Sequence, residues 1–164
     1  MRAELIDGEL WGLATPSRLH QRIVFQLARL LEDHIKDRGG TCKVNLAPCA
    51  VNLFGDESCF VEPDVTVVCD RDKLSDRGCE GAPDLVVEVT SPSSVSMDCL
   101  TKLNLYRDAG VREYWILDPL KERVLVYALS SDTDLLAVFP FSVPASSTAL
   151  AGFTADIARI IREP

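Results

Sequence analysis

The sequence lacks the features that mark several large protein classes. It has no surplus of basic residues: seventeen Lys and Arg stand against twenty-five Asp and Glu, a net charge of −8. A broad basic face that binds nucleic acid through counterion release is therefore not expected, and any phosphate chemistry must be local and needs a cation. There is no run near the roughly 18 consecutive apolar residues of a membrane span. The first thirteen residues carry Glu4, Asp7 and Glu9, where a secretory leader has a basic stretch followed by an apolar one. A cytoplasmic protein with no membrane partner is the expectation. The six cysteines, Cys42, Cys49, Cys59, Cys69, Cys79 and Cys99, include no C-x-x-C pair, which argues against zinc, and a core of this size needs no disulfide framework. Their expected role is that of small buried hydrophobes. Repeats, low-complexity tracts and linkers are also missing, so residues 1–164 read as one domain.

What is present is a globular balance, with 47% apolar and 26% charged residues. Residues 4–11 alternate around Asp7-Gly8, a pair suited to the positive φ of a tight hairpin turn. Between Ser17 and Arg38, Leu19, Ile23, Leu27, Leu31 and Ile35 recur every four positions, predicting a helix capped by Ser17 and ended by Gly39-Gly40. Strands are expected at residues 41–46, 50–54 and 59–69, followed by a polar loop over 70–82. Residues 84–90 are almost continuously aliphatic, as in a strand covered on both faces. Ser91-Pro92-Ser93-Ser94 stops that strand, and Ser96 can cap a second helix over 97–109 closed by Gly110. Three further strands, near 113–117, 124–127 and 135–139, and a helix near 154–161 complete an α+β domain.

One strand holds a residue that calls for a partner. Alternation puts Asp84, Val86, Glu88 and Thr90 on one face and Leu85, Val87 and Val89 on the other. A carboxylate among valines is costly unless it is paired, protonated or bound to a cation. If the Asp64 and Glu88 strands pair antiparallel about a loop centred near residue 76, positions summing to about 152 lie opposite, and Asp64 and Glu88 meet that condition. Directly opposed Cβ atoms lie roughly 4.5–5.5 Å apart, where two carboxylates repel unless a hard divalent cation joins them. Asp84, four strand positions or roughly 13 Å from Glu88, is the poorer partner and reads as a cap on the strand start. Lys102, in the following helix, is the nearest source of positive charge for a phosphoryl reaction. The plain alternative is an exposed i,i+4 pair with Asp98, worth about 0.2–0.5 kcal/mol.

These residues carry a family resemblance. Pro63-Asp64, then Pro83-Asp84-Leu85-Val86-Val87-Glu88-Val89, Ser91-Pro92-Ser93-Ser94, Asp98, Lys102, Tyr106 and the run from Gly110 to Pro119 resemble the Uma-two family of restriction-endonuclease-like domains, within the PD-(D/E)XK phosphodiesterase superfamily. The hairpin at residues 6–10, the helix start at 16–20 and Ala151-Gly152-Phe153 fit the same pattern. The resemblance implies a restriction-endonuclease-like core with a mixed, mainly antiparallel sheet flanked by helices. It implies Asp64 and Glu88 as metal-binding acids for Mg or Mn, and Lys102 as the catalytic lysine, because Thr90 stands where the superfamily usually has one. Some relatives use a glutamate of the first helix, for which Glu32 is available; His20 matches a family histidine but reads from the sequence as a surface or capping residue. The implied activity is metal-dependent cleavage of DNA. The alternative is an inactive nuclease-like fold serving as a binding or assembly module, supported by the missing in-strand lysine and the lack of a basic cluster. A zinc or redox protein built on the cysteines has least support. Nucleases that cut both strands often work in pairs, so a homo-oligomer, with a dimer as its simplest form, is the expectation.

Overall fold

The computed structural model describes residues 2–91, 97–129 and 133–162. Asp7 and Gly8 both take positive φ, 51° and 80°, and close a hairpin of β1 (Ala3–Ile6) and β2 (Glu9–Gly12). Helix α1 (Arg18–Asp37) begins at Ser17, whose side chain accepts the His20 N–H. It buries Ile23, Val24, Leu27, Ala28, Leu31 and Ile35. Leu19, the first member of the four-residue series, is instead exposed. Steps of four drift around a 3.6-residue helix, so by the first turn the inner position has passed from Leu19 to His20.

The chain continues through β3 (Lys43–Leu46), β4 (Val51–Asn52), β5 (Phe60–Val61), β6 (Val65–Val68), β7 (Leu74–Ser75), β8 (Gly78–Glu80) and β9 (Leu85–Val89). It ends with α2 (Met97–Ala109), β10 (Glu113–Asp118), β11 (Arg123–Ala128), β12 (Leu135–Pro140), β13 (Ala145–Ser146), β14 (Thr154–Ala155) and α3 (Ile157–Arg162). One six-stranded sheet has the order β2-β1-β5-β4-β8-β7, and the other β12-β11-β10-β9-β6-β3. In the second sheet only β9 and β10 run parallel. This is the mixed, mainly antiparallel α+β arrangement expected from the sequence. No helix among the described residues is long and apolar enough to cross a membrane.

Strand β9 lies between two cores. Leu85, Val87 and Val89 enter the one shared with α1 and α3, while Val86 enters the one shared with α2 and the first sheet. Glu88, in phase with Val86, is thereby turned toward α2. This facing positions the site described below.

Three expectations change. Residues 59–69 do not form one strand: Pro63, which cannot donate to a ladder, and Asp64 separate β5 from β6, and the two belong to different sheets. The 70–82 loop contains β7 and β8. Cys42 and Cys69 are not free hydrophobes, because the register Lys43↔Val68 sets them opposite each other and they form a disulfide. Cys59 and Cys79 are the buried thiols expected, each pushed up to about 11 by burial. The Ser96 cap and the Pro92 to Ser94 stop lie outside the described residues.

A second buried carboxylate, Glu113, is structural. It accepts from Trp115 Nε1 and Ser147 Oγ through Oε1 and from the Thr148 and Ala149 N–H groups through Oε2, tying β10 to the segment before β14. Glu113→Gln should lower the unfolding free energy by about 1–3 kcal/mol in a urea titration, because an amide cannot accept on both sides.

Candidate active site

The ladder between β6 and β9 pairs Val65 with Val87, Thr66 with Val86 and Val67 with Leu85. This is the 152 register, and Asp64 lies one step beyond its last pair. Asp64 Oδ2 accepts the Val89 N–H at 2.8 Å and lies 3.0 Å from His20 Nε2. Glu88 Oε1 accepts from Lys102 Nζ and from the Tyr106 hydroxyl, both at 2.9 Å. Lys102 Nζ also donates to the two oxygens of Glu4, at 3.0 and 2.9 Å. Glu4, only 2% exposed, accepts the Glu62 N–H at 2.8 Å as well. Glu4, His20, Glu62, Asp64, Glu88, Thr90 and Lys102 all line one cavity of about 340 Å³.

Asp64, Glu88 and Lys102 are thus brought together from a strand junction, a strand and a helix. Lys102 is buried between two carboxylates, unlike the exposed lysine of an i,i+4 helix pair; the Asp98 side chain lies outside the described residues. His20 is not a surface residue, since its ring is turned inward onto Asp64. Asp84 does not line the cavity; its Oδ2 accepts the Cys69 N–H at 2.7 Å near the start of β9. Glu32 is also remote from it and pairs with Lys36 on α1 at 3.1 Å. Two participants were given no role at the site from the sequence: Glu4, and Tyr106, which was named only among the residues that carry the family resemblance. Glu4 is in phase with Ile6, the buried side of β1, and that phase was the available signal. Tyr106 had two signals, its membership of the family pattern and its place four residues after Lys102.

The charges are strongly perturbed. Burial pushes the Glu88 carboxyl up to about 7; Lys102 works against that rise, and the Asp64 and Glu4 charges add to it. Burial disfavours the Lys102 ammonium, but Glu88 and Glu4 outweigh it and hold the amine above the usual lysine range. Tyr106 is also raised, by burial and then by Glu88, and stays a hydrogen-bond donor. His20 is raised because Asp64 overcomes its burial. Above the Glu88 pKa of about 7, the four acids among the cavity residues (Glu4, Glu62, Asp64, Glu88) outnumber the two permanent cations (Arg2, Lys102), so the pocket is then net negative and attracts a positive ion.

The donor set decides which ion fits. No group of three His, Cys, Asp or Glu among the described residues is arranged to hold a metal, so a closed zinc cage is not there. Asp64 and Glu88 each commit one oxygen to internal donors, and among the described residues Oδ1 of Asp64 and Oε2 of Glu88 receive no hydrogen bond. Two carboxylate oxygens fit Mg²⁺, which takes one or two carboxylates and completes its shell with water and substrate phosphate.

Comparison with known proteins gives a consistent set of relatives. The sequence matches a family described as "Uma2: Putative restriction endonuclease" over residues 1–158. Two proteins of Synechocystis sp. (strain ATCC 27184 / PCC 6803 / Kazusa) are similar. Uncharacterized protein sll1609 is 31% identical over 138 residues, covering 82% of this chain and 76% of its own. Uncharacterized protein slr1290 is 29% identical over 135 residues, covering 81% and 69%. The crystal structure of a "putative nuclease belonging to DUF820" from Anabaena variabilis ATCC 29413 shares the fold, with a TM-score of 0.74 at 19% identity, covering 97% of this chain and 89% of that one.

Proposed function

The chain belongs to the Uma2 family, and from that premise we propose that it is a metal-dependent phosphodiesterase acting on nucleic acid, with DNA as the first substrate to test. The observation that carries this reading is the meeting of Asp64, Glu88 and Lys102 in one net-negative cavity. Asp64 and Glu88 would hold Mg²⁺ or Mn²⁺. Such an ion supplies Lewis-acid polarisation of the scissile phosphate and acidifies water beside it.

The chain's own residues prepare the rest. Val89 N–H and His20 fix one oxygen of Asp64, while Lys102 and Tyr106 fix one oxygen of Glu88, so both ligands are aimed before an ion arrives. Lys102 remains an ammonium and is therefore an electrostatic stabiliser or an orienter of water, and no general base. In the hydrolysis a water oxygen forms a bond to phosphorus and gives up one proton to solvent, the phosphorus–sugar oxygen bond breaks, and the departing oxygen takes up a proton from solvent. Glu4 acts through Lys102 as a positioning residue.

The test is incubation of the purified chain with plasmid and oligonucleotide DNA, with Mg²⁺ or Mn²⁺ and with chelator. Cleavage should require the metal. At subsaturating metal its rate should also fall as pH drops below about 7, because the proton and the cation compete for the Glu88 carboxylate. A profile at subsaturating metal that stays flat as pH drops below about 7 would remove Glu88 from the mechanism. The absence of cleavage with either metal would favour the inactive binding or assembly module, for which the observation is that every Lys102 donor in the structure is already taken by a carboxylate.

A further inference from the structure

We infer that the cavity takes an unpaired nucleotide, so that the substrate of the proposed site is a single strand or a frayed end and not an intact duplex; this deepens the phosphodiesterase reading and rests on it for the position of the phosphate. Besides the polar cluster, the cavity is lined by apolar residues: Leu13 and Pro16 follow β2, Val24 and Phe25 come from α1, and Leu46 ends β3. Phe25 stands 60% exposed among them. An aromatic face beside a phosphate site is a stacking platform for a base. Bases in a duplex are already stacked and paired, whereas an unpaired base offers its face without that unstacking cost.

The charges lead to the same class of substrate. The Lys and Arg side chains among the cavity residues are Arg2 and Lys102; Arg2 is paired with Glu62 at 2.8 Å, and Lys102 is held by Glu4 and Glu88. The cavity therefore offers no row of free cations to follow a duplex backbone, and the whole chain carries −8. A duplex presents one negative charge per about 1.7 Å of axis, against one per about 3.4 Å along each strand, so the lower charge density is repelled less. The volume, about 340 Å³, sits at the low end of the roughly 300–1,000 Å³ of small-molecule pockets, the scale of a single nucleotide unit.

Binding can be read separately from hydrolysis. The full-length protein in Mg²⁺ is titrated against fluorescein-labelled, hydrolysis-resistant phosphorothioate oligonucleotides of about 12 nucleotides, within the site sizes of single-strand binders, with anisotropy as the readout. The probes are a DNA strand, an RNA strand of the same sequence and the DNA duplex. One of the two single strands should bind about tenfold or more tightly than the duplex, and whichever sugar is preferred counts for the inference. Phe25→Ala should weaken single-strand binding roughly tenfold and leave duplex binding unmoved, and Phe25→Trp should retain it. Because Phe25 is exposed, neither change threatens folding. Equal or tighter binding of the duplex, or a Phe25→Ala protein with unchanged single-strand affinity, overturns the inference. A chain that binds single strands without cutting them fails the phosphodiesterase reading alone; one that cuts duplex as readily as single strands keeps that reading and loses this one.

Discussion

Glu88→Gln should reduce metal-dependent cleavage by on the order of a thousandfold, the loss of several kcal/mol of transition-state stabilisation, while leaving the protein no less stable above pH 7. The second half separates a ligand from a packing residue. In the folded protein the Glu88 pKa is raised to about 7 from its ordinary value of 4.5, with burial as the first cause. A raised acid pKa means that folding disfavours the ionised form. The resulting penalty begins above the unfolded pKa, grows as pH rises toward 7, and is fully present beyond it. The amide removes that penalty and keeps the shape, so urea unfolding at about pH 8 should show a midpoint equal to or above that of the parent. A variant that lost activity only because it lost stability would give a lower midpoint, and cleavage surviving in Glu88→Gln would assign the activity to another site or to contamination.

Lys102→Met should be the most destabilising single change at this site, by about 3–5 kcal/mol near pH 8, because it leaves two buried carboxylates without their cation. Methionine fills a similar volume, so the effect reports charge more than a cavity. The dependence on pH is the check. As pH falls, Glu88 takes up a proton and the penalty should shrink, starting above pH 7 because Lys102 no longer holds the Glu88 pKa down to about 7. Adding Glu4→Gln to Lys102→Met should recover part of the lost stability, since one stranded charge is gone. Urea titrations of the parent, the two single variants and the double variant measure this; additive losses would show that Glu4 and Lys102 do not act as a pair.

Much of this site was readable from the sequence, because its parts obey local rules. The alternation in β9 placed Glu88 on the face it shares with Val86, and the assumed 152 register, which the Val65↔Val87 pairing matches, put Asp64 opposite it. Helices α1 and α2 followed from spacing and capping. What escaped depends on contacts distant along the chain. Nothing near Glu4 shows that it meets a lysine 98 positions later. The Cys42–Cys69 bridge follows from the pairing of β3 with β6, but residues 59–69 read as one strand gave no reason to begin a new pairing after Pro63. His20 was misplaced for a geometric reason: a series counted in fours selects Leu19, whereas the buried Val24 and Ala28 are in phase with His20.

The central claim is that Asp64 and Glu88 together bind a divalent cation, and calorimetric titration of the purified chain with Mn²⁺ at about pH 8, above the Glu88 pKa, tests it most directly. The account predicts one site per chain, tightened by a phosphate-bearing nucleotide and lost in both Asp64→Asn and Glu88→Gln. No binding heat with or without the nucleotide, or an isotherm that neither substitution changes, would contradict it.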